Sequence, residues 1–209
     1  VQRLELSSDY ITEGHALKGV LKADMENIRA TMEKIDYNTF EDVVNNIFAA
    51  KRIYIIGLRS SMALAEFLGF YLNIILQNVK TVGYGISDIF EQMINVGEGD
   101  LVIGIGFPRY ASRTIDALAF AQDRGARVVA VTDSFLSPLA TRADYALIAQ
   151  SNMASFVDSL VAPLSVINAL IIAVGMREKD NISSTFNSLE EIWQEYNVYS
   201  YNNRNVGDD

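Results

Sequence analysis

Two short stretches of the chain combine hydroxyl and guanidinium side chains and contain no carboxylate: Gly57-Leu58-Arg59-Ser60-Ser61 and Gly106-Phe107-Pro108-Arg109-Tyr110-Ala111-Ser112-Arg113-Thr114. Each runs into a segment with helical apolar periodicity. A helix N-terminus presents unpaired amide groups and partial positive charge, so hydroxyls and arginines gathered there make a site for a phosphate. Arg59, Ser60, Ser61, Arg109, Ser112 and Thr114 are the candidate ligands on these stretches. The competing reading of the four hydroxyl residues is helix capping, for which Ser and Thr are chosen on local grounds alone. Capping does not explain why two such loops lack acids, so ligand binding is the favoured reading if the loops face each other.

Other chemistries find less support. Gly57 opens no G-x-G-x-x-G pattern, Gly83-Tyr84-Gly85 offers no acid for a ribose, and no G-x-x-x-x-G-K-[ST] run occurs. The chain has no Cys, which excludes disulfides, thiolate metal sites and a Cys nucleophile, and suits a reducing cytoplasm. No cofactor and no metal are expected. An aldose–ketose isomerase needs a base, and usually an acid, near the sugar carbonyl. The single His, His15, stands in a linker-like stretch. Asp133 is the best acid-base candidate, although an Asp there also makes an ordinary turn. Phosphosugar isomerisation stays open as the alternative to binding without turnover. Phe107 and Tyr110 either stack on a ligand or close their loop, and Tyr84 and Asp88 are possible neighbours.

The net charge is −9 over 209 residues, against a broad basic face for nucleic acid or an anionic membrane. No signal peptide opens the chain, and a start at Val1 without Met is what a fragment would show. The uncharged stretch Ser159–Met176 is interrupted by Pro163, Ser165 and Asn168. It reads as a helix buried by a core or by a partner subunit rather than a membrane span, and so favours a homodimer.

These groups need a scaffold. Leu17, Leu21, Met25, Ile28, Met32 and Ile35 share one face of a helix, and Phe40, Val43, Val44, Ile47 and Phe48 share that of a second, with Asn38 and Glu41 spaced as a capping box. Short β-branched runs follow at Arg52–Ile56, Val79–Gly83, Leu101–Ile105, Arg127–Thr132 and Tyr145–Ala149. Such continuous apolar runs suit strands covered on both faces. Helical periods occupy Ser61–Gln77, Ser87–Ile94 and Ser112–Arg124, with a turn at Leu136–Arg142, an apolar helix from about Phe156 to Gly175, and a polar helix in which Phe186, Leu189, Ile192 or Trp193, and Tyr196 share a face. Met62, Met93 and Met176 read as core fillers. The expected fold is α/β, a doubly wound five-stranded parallel sheet in flavodoxin-like order 2-1-3-4-5. That order sets the two hydroxyl-rich loops across the crevice where strand order reverses. The expected divisions are a linker over 1–16, a helical lead-in over 17–50, a binding domain over 51–198 and a disordered tail over 199–209.

The segment Ile53–Ala65, the Gly106-Phe107-Pro108-Arg109-Tyr110 loop, Thr132-Asp133-Ser134 with Ser137-Pro138-Leu139-Ala140, and Ala162-Pro163-Leu164 resemble the sugar isomerase (SIS) domain of RpiR-type bacterial transcriptional regulators. The resemblance spans about Leu17 to Gly175, and its Phe-Pro-Arg-Tyr loop and Ser-Pro-Leu-Ala turn are typical of the regulator branch. It implies an effector domain that binds a phosphosugar and reports occupancy to an N-terminal helix-turn-helix DNA-binding domain absent from this chain, through which alone DNA is contacted. It places hydroxyl ligands on Ser61, Ser112, Thr114 and Ser134. Three positions depart from the family pattern. Gly106 stands where Ser is usual, Ala111 where a hydroxyl residue is common, and Arg59 where Gly is frequent. Either arginines and backbone amides hold more of the phosphate here, or the effector differs in shape. The lead-in helix and a subunit interface are the expected moving parts.

Overall fold

A computed structural model describes residues 15–199. The lead-in forms α1 (Ala16–Lys34) and α2 (Tyr37–Ala49). There follow β1 (Ile53–Gly57), a 3-10 turn (Arg59–Ser61), α3 (Met62–Leu76), β2 (Val79–Val82), the single-turn α4 (Ile89–Gln92) and β3 (Leu101–Ile105). The chain continues through α5 (Ser112–Asp123), β4 (Arg127–Thr132), a 3-10 turn (Ala140–Arg142), β5 (Tyr145–Ile148), α6 (Val161–Arg177) and α7 (Lys179–Glu195). The expected linker falls almost wholly outside the described residues, as does the tail beyond Tyr199.

The five strands pair in parallel in the expected order β2-β1-β3-β4-β5. Ile56 of β1 stands beside both Val82 and Gly104, so the carboxyl ends of the three strands at the reversal finish level. Alternate side chains divide between two cores. Ile53, Ile55, Leu101, Ile103, Val129 and Val131 pack with Val43 and Ile47 of α2, Leu68 of α3 and Leu170 of α6. Tyr54, Ile56, Val102, Val128 and Ala130 point the other way, onto Ile89 and Met93 around α4 and Ala117, Leu118 and Ala121 of α5. Burial on both faces explains why the strands read as unbroken apolar runs. Among the described residues, no helix is long and apolar enough to cross a membrane.

Several expectations need correction. The cap of α2 is Asp36, whose carboxylate accepts from the Thr39 N–H at 2.8 Å and its hydroxyl at 2.6 Å; the capping box of this fold is instead Asp88 with Glu91. The apolar helix starts at Val161 rather than Phe156, because Pro163 lacks an N–H and fits a first turn. Much of α6 is covered by the domain itself through Ala162, Val166, Ile167, Leu170 and Val174. Met93 is fully buried, but Met176 is 74% exposed near the end of α6.

The larger surprise is α1. Its apolar stripe of Leu17, Leu21, Met25, Ile28 and Met32 faces outward, and the residues it buries are Asn27 and Thr31. The reason lies in the segment between β5 and α6. Asn27 exchanges side-chain hydrogen bonds with the Asn152 backbone, donating at 2.9 Å and accepting at 3.1 Å. Thr31 accepts from the Gln150 N–H at 2.8 Å, and Asp24 accepts from the Ser159 hydroxyl at 2.6 Å. Irregular backbone carries unpaired polar groups, and α1 satisfies them with its polar side.

Candidate functional site

The reversal of strand order opens a cleft of about 700 Å³. Its walls include Arg59, Ser60 and Ser61 from the first loop and Arg109, Ser112 and Thr114 from the second. Arg113, Tyr84, Phe107, Tyr110 and Asp158 also line it. The two hydroxyl-rich loops therefore face one another. Ser134 is not among the lining residues; its hydroxyl accepts from the Leu136 N–H at 3.1 Å and shapes the turn after β4.

The first loop turns sharply. A Cβ on Gly57 would come within 2.6 Å of the Ser61 carbonyl oxygen, so only Gly allows the 3-10 turn to fold back on β1. Arg59 sits at φ 58°, in the left-handed region that favours Gly. This makes Arg59 a conformationally costly choice, at about 1–2 kcal/mol. Gly106 has a different cause. A Cβ there would meet Leu139 Cδ2 at 2.8 Å, and Leu139 is fully buried, so the core under the second loop occupies the space a Ser would need.

Capping does not account for the hydroxyls. Ser61 stands at the cap of α3 yet its side chain bonds no backbone N–H, and the cap position of α5 is Ala111, which has no group to offer. Thr114 is 1% exposed, and its Oγ1 is buried with no hydrogen-bond partner. An unsatisfied buried hydroxyl costs on the order of 1–3 kcal/mol. Thr114 is also one of the residues that line the cleft. Ser61, 4% exposed, lies on the facing loop.

The arginines divide by role. Arg113 is ion-paired with Asp88 and lies over the Phe90 ring at 5.0 Å, which holds it to the rim. The side chains of Arg59 and Arg109 are exposed and have no hydrogen-bond or ion-pair partner among the described residues. They supply charge that no ion pair among the described residues neutralises. Nearby, Gln92 clamps the loop bearing Tyr84 by donating to the carbonyls of Gly83 and Ser87.

Asp133, the best acid-base candidate from sequence, is engaged. It accepts from the Tyr110 hydroxyl at 2.8 Å and the Thr132 hydroxyl at 3.2 Å. Burial and the neighbouring Asp133 carboxylate push the Tyr110 phenol well above its ordinary value, so it remains a proton donor. Phe107 is buried in the core beneath the loop, so it closes the loop rather than standing clear as a platform. Among the described residues, no cluster of three or more His, Asp or Glu could hold a metal ion.

Asp158 is the lining residue that sequence reasoning missed. It is half-buried and carries the one carboxylate among the described residues of the lining. Reading 156–175 as a single helix hid it, although Pro163 signals that the segment before Val161 is irregular.

Residues 46–173 match the SIS domain family. The structure is similar to the sugar isomerase domain of an RpiR transcription factor from Sphaerobacter thermophilus, with a TM-score of 0.81 and 29% identity, covering 85% of this chain and 99% of that one. It shares its fold with the Vibrio vulnificus NanR protein complexed with ManNAc-6P, at a TM-score of 0.73 and 19% identity, covering 93% of this chain and 75% of that one. In sequence, it is 30% identical over 142 residues to an HTH-type transcriptional regulator of Haemophilus influenzae, a stretch that is 68% of this chain and 48% of the relative. The chain thus spans about half the length of that relative. The protein belongs to the SIS domain family, and its structure matches the SIS domain of RpiR-type regulators.

Proposed function

We propose that this chain is the phosphosugar-sensing effector domain of a transcriptional regulator, binding a sugar phosphate between its two hydroxyl-rich loops and signalling to an attached DNA-binding domain. The observation that carries this reading is the buried, unpartnered Thr114 hydroxyl on a cleft that also holds the uncapped Ser61 and the unpaired Arg59 and Arg109. A phosphate monoester supplies acceptors for all of them. The amino termini of α3 and α5 add partial positive charge beside it. Ser60 and Ser112 complete the proposed ligand set, with Ser134 retained only as a support of the adjoining turn.

The relatives support the same reading. NanR has been seen with a phosphorylated amino sugar, and the Haemophilus influenzae relative is an HTH-type regulator. The regulator's remaining half is where a helix-turn-helix would lie, so DNA is contacted by that part and not by this acidic chain. We place the protein in the cytoplasm and propose a homodimer, in which the outward apolar stripe of α1 would find cover against its copy.

A thermal-shift screen against hexose, pentose and amino-sugar phosphates tests the reading, run beside an isomerase assay on the same panel. Stabilisation by a phosphorylated sugar without turnover supports sensing. Turnover would make the protein a phosphosugar isomerase, and no stabilisation by any member at tens of millimolar would leave an empty structural module.

A further inference from the structure

The segment 150–159 touches both the cleft and α1. On the cleft side, Asp158 lines the site directly. A second connection runs through Tyr110, which also lines the site and donates to Asp133, whose backbone carbonyl accepts from Gln150 Nε2 at 3.2 Å. On the opposite side, the Gln150 N–H is held by Thr31, Asn152 is held by Asn27, and Ser159, next to Asp158, donates to Asp24. These three α1 residues lie along one side of the helix. They bond α1 to this segment, while its apolar stripe turns away.

The chemistry of this seat differs from that of the two cores. Hydrogen bonds that replace bonds to water contribute little net stability each, whereas apolar burial grows with area. α1 also packs along α6, but its polar bonds to the irregular segment can be exchanged for bonds to water at little net cost, which makes them the adjustable part of its seat. Asp158, the cleft's carboxylate, accepts hydrogen bonds where the arginines and hydroxyls opposite donate, so it suits the hydroxyl-bearing end of a sugar whose phosphate lies against Thr114 and Ser61.

We propose that Asp158 reads the hydroxyl end of the bound phosphosugar and that the 150–159 segment passes occupancy of the cleft to α1, tightening or loosening its seat through Asp24, Asn27 and Thr31. The proposal rests on the sensor reading above. It deepens that reading by naming the residue that faces the sugar and the route by which the lead-in helix learns of it. Binding and docking free energies are then reciprocal: whatever binding does to the α1 seat, a weakened seat does to binding.

The test uses the full chain with glucose 6-phosphate, fructose 6-phosphate, glucosamine 6-phosphate and N-acetylmannosamine 6-phosphate, measuring thermal shift, affinity and amide hydrogen exchange in α1. The strongest binder should change exchange in α1. Thr31→Val, outside the cleft and nearly isosteric, should shift that binder's affinity about fivefold or more, the usual span of coupling. Asp158→Asn should weaken it against the sugar phosphate while leaving weak binding of inorganic phosphate unchanged. If Thr31→Val proves unstable, Gln150→Ala probes the same connection from its other side. A binder that leaves α1 exchange unaltered, with unchanged affinity in Thr31→Val, overturns the coupling and leaves the sensor reading standing. Failure of all four sugar phosphates to bind overturns both.

Discussion

The Tyr110 hydroxyl donates to Asp133 at 2.8 Å, tying the loop after β3 to the end of β4 beside the cleft. This bond gives the second hydroxyl-rich loop an anchor outside its own backbone. A hydrogen bond to a charged group contributes about 1.5–3 kcal/mol, so Tyr110→Phe should lower stability by roughly that amount in urea unfolding at neutral pH. The tyrosine's folded pKa is raised, so its contribution is complete below the unfolded value of about 10 and is lost as pH rises above it. The gap between wild type and Tyr110→Phe should therefore narrow from about pH 10 upward.

Thr114→Val should separate stability from binding. Removing a buried hydroxyl that has no partner relieves a desolvation cost. The ligand-free protein should be equally stable or up to about 1 kcal/mol more so, while affinity for a bound sugar phosphate falls by roughly tenfold or more. Paired thermal melts and titration calorimetry check both signs. A clear loss of stability without ligand would mean that the hydroxyl has a structural task.

Arg59→Gly should also act in opposite directions. Gly removes the left-handed strain and should stabilise the ligand-free fold by up to about 1 kcal/mol, less its entropy in the unfolded chain. The same change removes an unpaired guanidinium from the cleft and should weaken sugar-phosphate binding. Denaturant midpoints and calorimetry are the measurements.

Gly106→Ser places a Cβ that collides with Leu139. Overpacking of this kind costs about 1–3 kcal/mol. The double variant Gly106→Ser/Leu139→Ala should be less destabilised than the sum of its parts, and a double-mutant cycle on unfolding free energies reads that coupling.

The α1 stripe should govern assembly. Leu21 is 54% and Met25 64% exposed. Leu21→Glu with Met25→Glu should leave the melting temperature at low protein concentration nearly unchanged and convert a dimer to a monomer by light scattering. A wild-type chain that is monomeric at every concentration contradicts the homodimer.

The sheet was legible because each strand is covered on both faces, and β-branched runs such as Leu101–Ile105 have few other uses. The cleft was legible for a related reason: once strand order is known, the crevice can form only where Gly57 and Gly106 end their strands. The orientation of α1 was not. An apolar stripe predicts its own burial, and only the structure shows Gln150 and Asn152 presenting backbone groups that draw Thr31 and Asn27 inward. The turn role of Ser134, which accepts from the Leu136 N–H, was likewise not legible in the sequence.

The central claim is that a phosphate seated on Thr114, Ser61 and the unpaired arginines accounts for ligand binding. Its most direct test is calorimetry of the best-binding sugar phosphate beside the same sugar without its phosphate, each with wild type and Thr114→Val. Expected is measurable binding of the phosphorylated sugar alone, weakened in the variant. Equal binding of the two sugars, or an unchanged affinity in Thr114→Val, would contradict it.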